Sequence, residues 1–169
     1  MEWLARFNSM SDDAASAELH RCCHSQRWVE GVMGRRPFES AEKLYEAASV
    51  VWTALGEVDW REAFAGHPRI GDRDGLKSAP LATRAWAHAE QGGALADSED
   101  IIAKLAGMNQ QYEIKFGHIF LICASGKSGG DMIGEIQKRM NHSADTELRA
   151  AADEQAKITR LRLERLVKS

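Results

Sequence analysis

The sequence is short of proline and cysteine and has no long apolar run, and each shortage removes a class of protein. Three prolines in 169 residues, with no Pro/Gly/Ser-rich tract, give no sign of a linker between domains. Three cysteines, two of them adjacent (Cys22, Cys23 and Cys123), make no disulfide framework and fit a reducing compartment. The longest wholly apolar run, Ile119 to Ala124, is far below the roughly 20 residues that span a bilayer as a helix. Met1 to Met10 carries Glu2, Arg6 and Asn8 and lacks the apolar core of a secretory signal. The closing Leu166-Val167-Lys168-Ser169 is not a Ser-Lys-Leu type address. Excess positive charge is also missing: 22 Lys and Arg face 25 Asp and Glu, a formal net charge of −3, which gives no electrostatic reason to expect nucleic acid. The expectation is a cytoplasmic protein that engages neither membrane nor nucleic acid.

What is present is helical periodicity. Apolar residues make up 44% of the chain, enough for the core of one domain over 1–169. Ser11 reads as an N-cap with Asp12 and Asp13 in the first turn, where the helix dipole favours acids. Ser40 reads as the cap of a helix with Leu44, Ala47, Ala48, Val51 and Leu55 on one face, ended by Gly56. A short segment, Trp60 to Ala65, follows. Ala82, Ala85, Trp86 and Ala89 mark another helix, stopping near Gly92-Gly93. The cleanest stripe is Ile101, Leu105, Met108, Tyr112 and Phe116, with Asp97 or Ser98 as cap. Helices also read at about Asp131 to Met140 and from Ala144 onward. Gly117 to Ala124 reads as an extended segment or a buried helical turn, with no partner strand. The expected fold is an all-α single-domain bundle with one long irregular loop, about 66–80, of a length that is usually functional or mobile.

That loop carries His67 in Gly66-His67-Pro68-Arg69-Ile70-Gly71. Pro68 disfavours helical backbone at His67, so the preceding helix should stop near Gly66. An imidazole held on such a stiff loop can exchange protons near neutral pH. Glu90-Gln91 closes the Trp86 helix, where the dipole disfavours an acid. A solvated surface position is the bland account of Glu90. Convergence with His67 would instead make an acid/base pair with a neutral amide beside it. Arg160 and Arg162 point to different helix faces, so one reaches inward and the other faces solvent. The inward one suits a carboxylate.

Two other patterns lead nowhere. Ser125-Gly126-Lys127-Ser128 lacks the Gly that a phosphate loop needs four residues before its Gly-Lys-Ser, since that position is Leu121. His20, Cys22, Cys23 and His24 have no second ligand pair at zinc spacing, so they read as buried Cys and exposed His on one amphipathic helix. No metal is expected. His88, His118 and His142 show no recognisable partners.

Taken in order, the motifs resemble one family. They are Trp28, Arg36-Pro37-Phe38, His67-Pro68-Arg69-Ile70-Gly71, Glu90-Gln91, Asn109, Tyr112 and Lys115-Phe116-Gly117. The series continues through Phe120-Leu121-Ile122-Cys123-Ala124, Arg139 with Asn141, Glu147-Leu148, Lys157-Ile158 and Leu161-Arg162-Leu163. The set, from about Cys22 to Leu166, is similar to the 2-oxo-4-hydroxy-4-carboxy-5-ureidoimidazoline (OHCU) decarboxylases of urate breakdown. The resemblance implies an all-helical homodimer that needs no cofactor, acts on a small-molecule substrate and removes carbon dioxide to give (S)-allantoin. It implies His67 and Glu90 as catalytic residues. It implies Pro68, Gln91, Phe120, Leu121, Ile122, Cys123, Ala124 and Arg162 as substrate-binding residues. The family often has Ser where this chain has Ala87, so one hydroxyl donor is missing here. The alternative is a non-catalytic module that binds a purine metabolite on the same fold.

Overall fold

A computed structural model describes residues 2–70 and 97–169. The helix expected around Ala82–Ala89, with Ala87, and Glu90, Gln91 and Gly92-Gly93 fall outside the described residues, as does the expected loop beyond Ile70. Every regular element among the described residues is an α-helix. The chain divides into two compact units, Met1–Gly66 with Gln155–Ser169, and His67–Glu154.

The first unit holds α1 (Glu2–Ser9), α2 (Asp12–Cys22), α3 (Gln26–Met33), α4 (Ala41–Thr53) and α5 (Glu57–Ala65). It also takes the last part of α8, a helix running Ala144–Lys168. Three serines start helices by accepting an otherwise unsatisfied N–H: Ser11 from Ala14, Ser25 from Trp28 and Ser40 from Lys43. Two of these, Ser11 and Ser40, are the caps expected from sequence. Gly56 differs from expectation. Helix α4 stops at Thr53, and Gly56 instead occupies the N-cap of α5, because Glu57 and Asp59 supply a favourable acidic first turn. The expected short segment before the His-Pro loop is therefore a full helix, and it ends where Pro68 predicts, with Gly66 as C-cap.

The core of this unit is built around Trp28, Phe7, Leu19, Leu44, Phe64 and Leu163, all fully buried. Burying each such side chain contributes about 1.5–3 kcal/mol. The Trp28 indole also needs a partner for its N–H, and donates to the Ala48 carbonyl at 3.0 Å. Asn8 joins α1 to the Pro37-Phe38 turn. Its amide donates to the Phe38 carbonyl at 2.7 Å and its oxygen accepts from the Phe38 N–H at 3.0 Å.

The second unit holds α6 (Glu99–Phe116), α7 (Gly129–Arg139) and the first part of α8. The stripe read from sequence is the buried face of α6. Leu105, Tyr112 and Phe116 are buried, and Ile101 and Met108 pack against the same cluster. Gly117 ends α6 at φ 71°, a left-handed conformation that favours glycine. Helix α7 begins two residues before the expected Asp131, because Ser128 caps it and Asp131 bonds back to the Ser128 N–H. Residues 119–124 have no regular secondary structure, which speaks against the helical-turn alternative of the two open readings. Ser125–Ser128 is a turn with Gly126 at φ 78°, and the Lys127 ammonium donates to the Cys123 carbonyl at 2.8 Å.

Candidate functional site

Two stretches expected to carry chemistry, the His67 loop and the Phe120–Ala124 segment, both meet α6. Asn109 donates from Nδ2 to the Ile70 carbonyl at 2.8 Å, and the pair is buried. One turn on, Glu113 takes the Arg69 guanidine N–H at 3.0 and 3.1 Å through its two oxygens. The loop is thus fixed just after His67 and Pro68, both of which are half-buried. Ile70 itself sinks into the cluster that contains Phe120, Ile122 and Ala124. The sequence spacing Asn109, Tyr112, Glu113 explains the geometry, since positions three and four apart lie on one helix face.

Tyr112 carries the second half of the arrangement. Its ring meets Phe120 edge-on at 5.2 Å, and its hydroxyl donates to Glu147. Glu147 is 0% exposed and Arg139 is 2% exposed. The Arg139 guanidinium gives Nε and Nη2 to Glu147 Oε1 at 2.8 and 2.5 Å. His142 Nδ1 lies 2.8 Å from Oε2. The remaining guanidinium nitrogen, Nη1, donates to the Leu121 carbonyl at 2.8 Å, and the cation lies 4.6 Å over the Phe120 ring. A buried ion pair of this kind stabilises little by itself, but removing one partner is costly. Here it clamps a backbone segment that no strand among the described residues holds. Glu154 adds a second clamp by accepting the Cys123 N–H at 2.7 Å.

The electrostatics follow from burial. Desolvation, then the bond to Glu147, pushes the Tyr112 phenol well above its usual range. Burial works against the Arg139 charge, but the bond to Glu147 and the neighbouring phenol outweigh it, and the guanidinium titrates above its ordinary value. The network therefore keeps its hydroxyl proton and its cation throughout the neutral range.

In the first unit the two arginines separate as the helix faces require. Arg160 is exposed, bonds Glu164 at 2.6 Å and stacks 3.7 Å over the Tyr45 ring. Arg162 is 4% exposed, and its Nη1 approaches the Arg21 and Cys22 carbonyls at 3.4 and 3.5 Å. Those carbonyls belong to the C-terminal end of α2, where a cation is favoured. Burial pushes the Cys23 thiol up to about 12 and the Cys22 thiol higher still, so both stay protonated and unreactive. His24 is a correction to the reading of an exposed histidine on a helix. It lies beyond the end of α2 and is half-buried. Its pKa is lowered to about 4, first by burial and then by His20 and Arg162. His20 is exposed, with its ring 4.9 Å from that of His24.

Among the described residues no group of three His, Cys, Asp or Glu side chains is placed to hold a metal ion, and no helix is long and apolar enough to cross a membrane. Of the expected site residues, Pro68 adjoins His67 in the loop, and Phe120, Leu121, Ile122, Cys123 and Ala124 lie in the second unit with them. Arg162 is buried in the first unit. Glu90 and Gln91 lie outside the described residues. The sequence reading missed what Asn109, Tyr112, Arg139, His142 and Glu147 do. All five were visible only as family positions or as a histidine without a partner. Their pairing depends on contacts as far apart as 39 residues in the chain.

Comparison with known proteins places these observations. Residues 8–164 match the family described as OHCU decarboxylase. The uric acid degradation bifunctional protein TTL of Arabidopsis thaliana is 34% identical over 159 residues, 93% of this chain. This chain spans about half the length of that protein, 48%. The 2-oxo-4-hydroxy-4-carboxy-5-ureidoimidazoline decarboxylase of Haloferax volcanii is 27% identical over 165 residues, covering 95% of this chain and 93% of that one. A crystal structure of OHCU decarboxylase in the presence of (S)-allantoin superposes with a TM-score of 0.78 at 30% identity, over 95% of this chain and all of that one. (S)-allantoin synthase, at 14% identity and TM-score 0.70 over 96% of this chain and 53% of that one, shares the fold.

Proposed function

Since this chain belongs to the OHCU decarboxylase family, we propose that it decarboxylates 2-oxo-4-hydroxy-4-carboxy-5-ureidoimidazoline to (S)-allantoin in urate catabolism. The family match across residues 8–164 carries the reading. The fixing of the His67 loop by α6 beside the cluster that contains Phe120, Ile122 and Ala124 supports it. Breaking the carbon–carboxylate bond releases carbon dioxide and leaves an electron pair on a carbon conjugated with the carbonyl and imine of the ring. The ring itself delocalises that pair, so the protein needs to orient the carboxylate, stabilise the developing charge and deliver a proton to one face.

In this proposal His67 is the proton relay and Pro68 holds it extended. Glu90 binds the substrate hydroxyl or holds the imidazolium, and Gln91 meets the ureido group. The backbone of Phe120, Leu121, Ile122, Cys123 and Ala124 bonds the ring amides, a role for which a clamped, strand-free segment is suited. Arg162 pairs with an anionic oxygen of the substrate. Ala87 stands where a serine hydroxyl is common in the family. A small-molecule substrate, no cofactor, a single domain over 1–169, a homodimer and a cytoplasmic location belong to the same proposal. Three cysteines, two of them adjacent, support a reducing compartment.

The test mixes freshly made OHCU with the protein and follows one enantiomer of allantoin by circular dichroism against the racemic background. Stereospecific product is expected. General acid/base assistance contributes roughly 10²–10⁴-fold, so His67→Asn is expected to slow turnover by about that factor while remaining folded. Near-wild-type stereospecific turnover in H67N would remove His67 from the mechanism. Ligand binding without turnover in the wild type would favour the non-catalytic module.

A further inference from the structure

Gly66 precedes His67 and presents a question that its backbone does not answer. At φ −77° and ψ −3° it has an ordinary right-handed conformation that any residue adopts, so nothing in the chain's direction requires glycine there. What requires it is His24. A Cβ built on Gly66 would stand 2.1 Å from Cγ, 2.3 Å from Nδ1 and 2.7 Å from Cβ of His24. The contact involves the near end of the ring and its attachment to the backbone, which cannot swing away as the tip of a long side chain could. The backbone of Gly66 therefore lies directly against the imidazole.

We propose that His24 is a positioning residue for His67, with its ring serving as the seat on which the Gly66 backbone rests and from which the loop departs. The inference rests on the reading of His67 as the proton relay. Four residues after Gly66, the Ile70 carbonyl is held by Asn109. Only His67, Pro68 and Arg69 lie between the seat and that clamp, so the seat sets where the His67 backbone starts.

A second observation indicates that the ring does more than pack. His24 Nδ1 is buried and has no hydrogen-bond partner among the described residues. An apolar side chain of similar shape would fill the space without leaving a polar atom unsatisfied. Local rules broken in this way cluster where function constrains the residue. Burial first, then His20, whose ring lies 4.9 Å away, and the Arg162 charge keep the ring uncharged at neutral pH. His24 thus adds no second cation beside the guanidinium proposed to receive the substrate anion.

The experiment is a pair of single variants and their combination in the full chain, His24→Ala, Gly66→Ala and the double variant. Misplacement of a reacting group by about 1 Å can cost on the order of 10²-fold in rate. G66A is accordingly expected to lower kcat by roughly that factor, with KM changed less than about threefold. Removing the ring makes room for the new methyl group, so the double variant is expected to regain at least about tenfold in kcat over G66A and to recover part of the stability that G66A loses. A purely structural role would leave kcat of folded H24A at the wild-type value, whereas a positioning role lowers it by more than about threefold. Hydrogen exchange at the amides of residues 65–70 reads the same coupling without substrate: faster in G66A, slower again in the double variant.

If wild-type protein does not turn over OHCU, the functional reading fails while the exchange data still decide the seat. If wild type is active and the double variant is no better than G66A in kcat and in exchange, the proposal is overturned. Should G66A not fold, His24→Phe against H24A replaces it. The phenyl ring keeps the seat and is expected to hold kcat within about threefold of wild type, whereas H24A drops further. Equal kcat in those two variants overturns the proposal.

Discussion

Glu147→Gln isolates the central interaction of the second unit. Glu147 has no exposed surface and receives bonds from Tyr112, from Arg139 through two nitrogens and from His142. The amide keeps the shape and loses the charge, leaving the buried Arg139 cation uncompensated. Breaking one member of a buried pair costs about 3–5 kcal/mol, a large share of the roughly 5–15 kcal/mol that holds a typical domain together. For a chain of this size each kcal/mol lowers Tm by about 2–4 °C, so a fall of roughly 6–20 °C is expected. Urea unfolding should show a lower midpoint with m unchanged. The informative companion is the triple variant Tyr112→Phe, Arg139→Met, Glu147→Leu, which removes every polar member of the trio. Apolar replacement of a whole buried network is often neutral or stabilising, so its midpoint should return towards wild type. The Leu121 carbonyl, however, loses its donor, and turnover should stay low. E147Q within about 1 kcal/mol of wild type, or a triple variant as unstable as E147Q, would refute this account of the network.

Three further outcomes follow from the geometry. Arg162→Ala is expected to raise KM by about 10–100-fold, the worth of one charge-assisted hydrogen bond; steady-state kinetics with an unchanged KM would exclude a substrate contact. Asn109→Leu removes the donor to the Ile70 carbonyl and should cost about 1–2 kcal/mol in urea unfolding, with a fall in kcat larger than that loss explains. The third concerns acid. The folded protein holds His24 near pKa 4 where the ordinary value is 6.5, so the unfolded chain takes up a proton that the folded chain refuses. The neutral ring is fully compatible with folding above pH 6.5, and stability declines from there down to about pH 4, where the loss is complete. Because the ring is only partly buried, the loss is on the order of 1–2 kcal/mol. The urea midpoint of His24→Gln should be flatter than wild type between pH 6.5 and 4.5; equal slopes would show that His24 does not titrate in that window.

Local chemistry was legible in the sequence where its cause is local. Ser11 and Ser40 cap helices because a hydroxyl three residues from an orphan N–H can reach it in any protein. The stripe Ile101, Leu105, Met108, Tyr112 and Phe116 buries one face because helical spacing alone puts those side chains together. Pro68 stops α5 at Gly66 by a clash between neighbours. Gly56 was misread for the same reason in reverse: a glycine between two helices serves the end of one or the start of the next, and the acids of α5 decided it.

The ordered motifs identified the family, and with it the all-helical fold. They did not reveal what holds the site residues. Arg139 and Glu147 sit eight positions apart, outside any helical pairing rule, and as isolated charges they resemble surface residues. They are buried where α6 brings Tyr112 against Phe120, and there the Tyr112 hydroxyl and the Arg139 guanidinium both bond Glu147. His24 next to Gly66 is equally invisible in one dimension, the two standing 42 positions apart with no motif joining them. Sequence fixes interactions whose partners are a turn apart, because backbone geometry alone sets those distances. Contacts between elements depend on how whole helices pack, and that packing alone decided which helix grips the loop and which carboxylate lies beneath it.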